Sequence, residues 1–312
     1  MKKRMQPRFV ALIAVLLLGL IRGSNLGAQA PNRADARTLS LGIVSAINQQ
    51  AIEEHYSDFI RYVARKLAAA PNSIEGKVVL ASTPAELAKL LGQQKVDFYM
   101  ESTYSTYVIN DVQGAGKLLL RRWQRGKPEY HSLIFTNRNS GISRLDDFRG
   151  KSLVFEDPES TSGYFLPKFF LLRNGFKLSE KSGSDANVAP AEIGYVFASS
   201  QEKLMDLVLT QQAAGGAFSD DDYGMLDEKT KADIIVLAQT ERLPRHLVSI
   251  RKDMPAALAD RLRAILLAMS EDEEGRRVLQ KTGETTKFDI LPEGEEGMRR
   301  RLLETFYSPT KK

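Results

Sequence analysis

The chain has 312 residues, enough for two modest domains, and its 43% hydrophobic and 27% charged content is that of an ordinary globular protein. The formal charge of +5 invites a nucleic-acid reading, but five of the basic residues and no acid fall within residues 1–30, and the remaining 39 basic residues balance 39 acidic ones. A neutral remainder argues against nucleic acid as a partner, and the absence of cysteine excludes disulfides, while three histidines without H-x-x-x-H spacing give no basis for a zinc site or other cofactor.

In chain order, Lys2, Lys3, Arg4 and Arg8 precede the apolar run Phe9 to Ile21, and Ala28-Gln29-Ala30 offers an A-x-A cleavage site. Residues 1–30 therefore read as an export signal, too short in its apolar part for the roughly 20 residues of a bilayer span. No later stretch approaches that length, so the expectation is a soluble periplasmic protein with no stable membrane insertion after cleavage. The lack of a lipobox cysteine removes the usual lipid anchor.

A polar linker from Pro31 to Arg37 leads into a buried strand over Thr38 to Val44, then a helical stripe from Ala51 to Leu67 carrying Phe59, Ile60, Val63 and Leu67. Lys77 to Ala81 predicts a strand, Ser82-Thr83-Pro84 a helix entry with Glu86 in the first turn, and Val96 to Met100 a third strand ending in the loop Glu101-Ser102-Thr103-Tyr104. This alternation predicts a parallel sheet under helices, with ligands bound outside the carboxyl ends of the strands. The grammar restarts at His131 to Thr136. A helical turn follows over Leu145 to Phe148, then a strand from Lys151 to Phe155 and a helix from about Gly163 to Asn174, closed by Gly175. Further strands fall at Ile193 to Phe197, Gly216 to Ser219, Ile234 to Ala238 and His246 to Ile250, with a helix from Gln201 to Thr210. From Pro255 onward the chain reads as mostly helical, and Glu271 to Arg277 as a solvated turn near a helix end. The expected organisation is two α/β lobes, each a mixed, mostly parallel sheet flanked by helices: residues 38–134 with 246–312, and residues 135–240, joined by two hinge crossings.

The sharpest local signal is Asp157-Pro158-Glu159-Ser160-Thr161-Ser162-Gly163-Tyr164, between a strong strand and a strong helix. First-turn amides lack internal partners, and the helix dipole adds roughly half a positive charge there. Ser160, Thr161 and Ser162 add hydroxyl donors and Gly163 permits close backbone approach, which together make an anion cradle without lysine or arginine. Plain N-capping needs one hydroxyl rather than three. Trp123, beside Arg121, Arg122 and Arg125, reads as surface packing.

Ser160-Thr161-Ser162-Gly163-Tyr164 with Leu166-Pro167, together with Tyr130-His131-Ser132, Ser140-Gly141-Ile142 and Leu145 to Lys151, resembles the phosphate/phosphite/phosphonate-binding proteins of ABC importers. The resemblance runs from about Leu41 to Met269 and implies a two-lobed type II periplasmic binding protein, not an enzyme, that serves an inner-membrane ABC permease. By position it implies Ser160, Thr161 and Ser162 on the phosphonate oxygens, Tyr104 and His131 nearby, and Asp220 or Asp221 for a ligand ammonium. The sequence departs from the family at Glu101-Ser102-Thr103, where a small Gly-Pro loop is usual. Glu101 would either repel a bare dianion and suit a zwitterion, or cap the following helix and face solvent. His131 reads more readily as a hydrogen-bonded strand-start structural histidine than as a ligand contact, and Asp220-Asp221-Asp222 reads as a solvated turn or a cation site, with too few oxygens for a divalent one. A serine hydrolase is disfavoured by the missing G-x-S-x-G elbow. A ligand-sensing subunit for a membrane kinase is the alternative to transport.

Overall fold

The computed structural model describes residues 37–307 apart from 47, 71 and 72, so the export signal expected at residues 1–30 lies outside the described residues. The elements, in order, are β1 (Arg37–Val44), α1 (Gln49–Leu67), β2 (Ile74–Ala81), α2 (Pro84–Gly92), β3 (Phe98–Ser102), α3 (Thr103–Tyr107), β4 (Gly116–Gln124), β5 (Glu129–Tyr130), β6 (Ser132–Asn137) and β7 (Ser152–Phe155). Then come α4 (Leu166–Arg173), β8 (Lys177–Glu180), β9 (Glu192–Phe197), α5 (Gln201–Leu209), β10 (Gly215–Ser219), α6 (Asp220–Met225), α7 (Glu228–Ala232), β11 (Ile234–Gln239) and β12 (Leu243–Pro244). The chain closes with β13 (His246–Arg251), α8 (Ala256–Ala268), α9 (Glu273–Lys281), β14 (Thr285–Asp289) and α10 (Gly294–Phe306). Among the described residues no helix is long and apolar enough to cross a membrane.

Two six-stranded mixed sheets form two lobes, ordered β14-β4-β13-β3-β1-β2 and β11-β6-β10-β7-β9-β8. The chain passes between them at β5 and β12, which pair antiparallel with Leu243 opposite Tyr130. In the first lobe β1 lies parallel to both β2 and β3, so their carboxyl ends point one way; β4 runs the same way through antiparallel β13. In the second lobe β7, β9 and β10 are likewise parallel. Thr83 caps α2 by accepting from the Glu86 amide (3.1 Å), and the Glu86 side chain accepts from the amide of Ser82, the residue before the cap (2.8 Å), so two donors at the helix entry are satisfied.

Three readings change. β4, β8 and β14 were not anticipated. β3 runs two residues beyond Met100, because Leu247 of β13 pairs with Glu101 and His246 with Ser102. The Glu271 to Arg277 stretch is not a solvated turn: it opens α9, where Asp272 accepts from the Gly275 amide (2.6 Å) and the Tyr62 hydroxyl (2.5 Å).

The first lobe's core packs α1, α8 and α9 on one sheet face through Phe59, Val63, Leu120, Val248, Leu262 and Leu279. A separate apolar cluster joins the lobes, with Leu118, Leu247, Met298, Leu302 and Phe306 meeting Leu166 and Phe165 of the second lobe. Helix α10 is its backbone. Arg301 donates to Glu129 (3.0 Å) and to the Arg242 carbonyl on the two crossing segments, while Arg173 of α4 donates to the Glu304 (3.1 Å) and Thr305 carbonyls.

Candidate functional site

After β7 the chain turns through Glu156–Ser160 into a wide helical turn, Thr161–Phe165, that runs on into α4. Ser160 is the cap: its hydroxyl accepts from the Gly163 amide (3.0 Å) and donates to Glu156 Oε2 (3.3 Å). One hydroxyl of the three is thereby consumed. Thr161 is 5% exposed and its buried Oγ1 has no hydrogen-bond partner; Ser162 is buried, with its carbonyl taken by Ser132 Oγ (2.7 Å). Tyr130 of the crossing strand places its hydroxyl beside both, and burial pushes that phenol up to about 12. A buried hydroxyl without a partner forfeits about 1–3 kcal/mol, so an unspent donor beside a helix start is a prepared position rather than a neutral one.

Gly163 is needed for a reason the sequence did not show. A Cβ there would stand 2.8 Å from Glu156 Oε2, 2.8 Å from Ser160 Oγ and 2.9 Å from Glu156 Cβ, so the crowding comes from the turn itself. Gly163→Ala is expected to pry Ser160 off its cap and lower stability by about 1–3 kcal/mol in urea denaturation. An unchanged midpoint would show that the turn yields without loss.

Tyr164 does not face the cradle. Its ring packs among Phe155, Phe165, Tyr195 and Phe197 in the second lobe, and its hydroxyl meets Tyr195 (3.2 Å) and Lys168 (2.5 Å).

On the first lobe, Glu101 is 9% exposed and still in strand. It is not the helix cap, since Ser102 fills that place by accepting from the Ser105 amide at 3.5 Å. Glu101 Oε1 accepts from the Val44 amide (2.6 Å), and no ion pair reaches the carboxylate among the described residues. Burial raises its pKa to about 7 against the pull of the Val44 and Ser102 amides, and Glu159 across the cleft adds to the rise. Thr103 is 0% exposed and its Oγ1 is without a partner, in the first turn of α3. Tyr104 stacks on Phe165 (centroids 3.3 Å apart, 15° between planes) and meets Phe306 edge-on, which places its ring in the interlobe cluster. The first turns that carry Thr103 and Thr161 are thus joined by the stack of the residues that follow.

His131 sits in a break between β5 and β6. Its Nδ1 lies 3.2 Å from Asp220 Oδ2, off the hydrogen-bonding angle, and its amide donates to Asp220 Oδ1 (3.2 Å). Burial lowers its pKa, with Asp220 opposing, so the ring is neutral at neutral pH. Asp220 also faces Arg242 (3.5 Å). Asp221 is bound by Lys127 and Arg245, each at 2.6 Å; burial favours its neutral form, and the two cations outweigh that to hold its pKa below the usual range. These carboxylates open α6, whose cap pairs Ser219 with Asp222, so the three aspartates are not a solvated turn. Both Asp220 and Asp221 are occupied by protein cations, leaving Glu101 as the unpaired buried carboxylate.

Sequence reasoning missed Tyr56, Arg122, Tyr130, Arg245 and His246. Arg122 is 2% exposed yet meets only neutral acceptors: Thr285 Oγ1 (2.6 Å) and the carbonyls of Thr282 (2.9 Å) and Gly283 (2.7 Å). The Tyr56 hydroxyl lies against its guanidinium. His246 pairs with Arg122 in register, its Nδ1 is buried without a partner, and burial with Arg122 and Arg245 holds it neutral. Arg245 lies over the Tyr130 ring at 4.1 Å. The available signal was the alternation Leu118, Leu120, Arg122, which carries an arginine along a buried strand face. Trp123 is not simple surface packing either: its Nε1 is buried and Lys287 Nζ lies 4.1 Å from its ring centre.

Comparisons with known proteins bear on this cleft. Residues 41–291 match the family described as "ABC transporter, phosphonate, periplasmic substrate-binding protein". The phosphonates-binding periplasmic protein of Escherichia coli is 22% identical over 83% of this chain and 74% of its own length. Among solved structures, XAC2383 from Xanthomonas citri is 28% identical, covers 86% of this chain and 95% of its own, and superposes with a TM-score of 0.73 in a form bound to ATP. PhnD1 from Prochlorococcus marinus in complex with methylphosphonate shares the fold at a TM-score of 0.58 and 13% identity, over 86% of this chain and 98% of that one.

Proposed function

This chain belongs to the periplasmic substrate-binding proteins of phosphonate ABC transporters, transport proteins rather than enzymes, and from that premise we propose that it captures a small phosphonate- or phosphate-like oxyanion between its lobes and presents it to an inner-membrane permease. The observation that carries the ligand class is the pair of unspent hydroxyls, Thr161 Oγ1 on one lobe and Thr103 Oγ1 on the other, each buried at the start of a helical turn. A tetrahedral oxyanion supplies several acceptors in a compact volume, matching the hydroxyls and first-turn amides together. Tyr130 and Ser162 complete the second-lobe side. Closure of the lobes about β5 and β12 would desolvate the anion, and the closed form would be the one the permease reads.

The test is the melting temperature against methylphosphonate, an aminoalkyl phosphonate, phosphite, phosphate and ATP, after unfolding and refolding to strip any bound ligand. Thr161→Val is expected to weaken the best ligand by about tenfold or more while lowering the ligand-free stability by less than about 1 kcal/mol, because the lost hydroxyl makes no well-formed hydrogen bond and has the Tyr130 hydroxyl beside it. No shift with any phosphorus anion would sink the ligand class. A second reading keeps the same cradle for the terminal phosphate of a nucleotide, favoured by the ATP-bound Xanthomonas citri relative. A shift with ATP and none with methylphosphonate would select it.

A further inference from the structure

Glu101 is an odd residue to find in an anion cleft. It is buried, accepts from the Val44 amide at 2.6 Å, feels the Ser102 amide as well, and meets no lysine, arginine or histidine among the described residues. The groups that face it are Val44 from β1, Tyr56 from α1, Tyr99 from its own strand and Glu159 from the loop that leads into the cradle. Arg122, which like Glu101 acts on Tyr56, spends its donors on Thr285, Thr282 and Gly283. Two residues after Glu101, Thr103 presents its unpartnered hydroxyl, and across the cleft Glu159 immediately precedes Ser160 of the cradle. An oxyanion seated on Thr103 and Thr161 therefore brings one of its oxygens towards an uncompensated carboxyl group.

Resting on the ligand class proposed above, we propose that Glu101 is the specificity residue of the cleft: it shares one proton with the bound oxyacid, so that oxyanions able to hold a proton near neutrality are taken and permanently ionised ones are turned away. A carboxylate can accept from P–O–H, or a carboxyl can donate to P–O⁻; the proton count and net charge are the same in either form. Phosphate monoesters lose their second proton at about pH 6 and alkyl phosphonates, lacking the electron-withdrawing ester oxygen, hold theirs more tightly, whereas a sulfonate carries no proton to share. The rise of the Glu101 pKa towards neutrality places both partners in one titration range.

Calorimetric titration of wild type and Glu101→Gln with methylphosphonate and methanesulfonate tests this. At about pH 8, where Glu101 with a pKa of about 7 is mostly ionised, wild type is expected to prefer methylphosphonate by about tenfold or more, the cost of protonating Glu101 for a ligand that brings no proton. In Glu101→Gln the amide still accepts from Val44 and now donates to any oxyanion, so methanesulfonate binding should rise about tenfold or more and the preference should collapse. Between about pH 7 and about pH 9 wild type should lose methylphosphonate affinity steeply as the last shared proton leaves, and the variant should not. Equal preference in the two proteins, or a flat wild-type profile, overturns the proposal while leaving phosphonate capture intact. A tight preference for 2-aminoethylphosphonate over ethylphosphonate that the variant abolishes overturns it too, by assigning Glu101 to the ammonium. If wild type binds no phosphorus oxyanion at all, both readings fall.

Discussion

Arg122→Leu is expected to lower stability by about 2–4 kcal/mol, the cost of orphaning several buried acceptors at about 1–3 kcal/mol each, less the relief of no longer burying a charge. The guanidinium closes the carboxyl end of α9 by holding the Thr282 and Gly283 carbonyls, and it ties β4 to β14 through Thr285. The α9 dipole directs about half a negative charge at it, the nearest thing this buried cation has to a counter-ion. Arg122→Lys should recover less than half of the loss, because a single ammonium cannot reach three acceptors arranged for a planar fork. Trp123, the next residue and the sole tryptophan of the chain, gives the signal for urea denaturation. A change below about 1 kcal/mol would mean that water replaces the guanidinium and that Arg122 is dispensable to the fold.

The second large effect is a pH-dependent gain. Glu101→Gln in the ligand-free protein should match wild type in acid and exceed it by about 3 kcal/mol at about pH 8. The folded-state pKa of Glu101 is about 7, against 4.5 for a free glutamate, so the fold binds the proton more tightly than the unfolded chain. Its contribution is fully present below the unfolded value and is lost as pH rises through the folded one, at about 1.4 kcal/mol per unit of difference. Glutamine keeps the acceptor for Val44 and never ionises. Melting of both proteins between about pH 5 and about pH 8 measures this, and parallel curves would show that Glu101 ionises in the fold at little cost.

The sequence carried β1, α1 and α2 plainly, because a continuous apolar run, a one-sided stripe and a Thr83-Pro84 helix entry with Glu86 in the first turn are local signals. It did not carry β4, whose alternation is broken by a bulge where Val248 faces Leu120 but Ser249 faces Leu118, nor β14, where Phe288 supplies the chief buried apolar side chain. The cradle was legible as a segment, yet the division of labour within it was not. Ser160 is spent on Gly163 and Glu156 while Thr161 Oγ1 makes no well-formed hydrogen bond, and that follows from how wide the turn is, not from composition. Asp220 and Asp221 looked available for a ligand because Lys127 stands 94 residues from Asp221 and Arg245 stands 24 away. Pairing over such separations is a property of the folded chain alone.

Helix α10 has a mechanical consequence. It belongs to the first lobe, yet its last turn is stapled by Arg173 of the second, and Phe306 abuts the Tyr104–Phe165 stack between the lobes. A motion that lifted α4 away from α10 would break both carbonyl bonds and unstack the rings, whereas a swing that uses Phe306 as its fulcrum would keep them. The lobes are therefore a pair of jaws with a greased pivot. The force of opening should also be felt at the crossing strands, where Arg245, directly after β12, and Lys127, just before β5, grip Asp221.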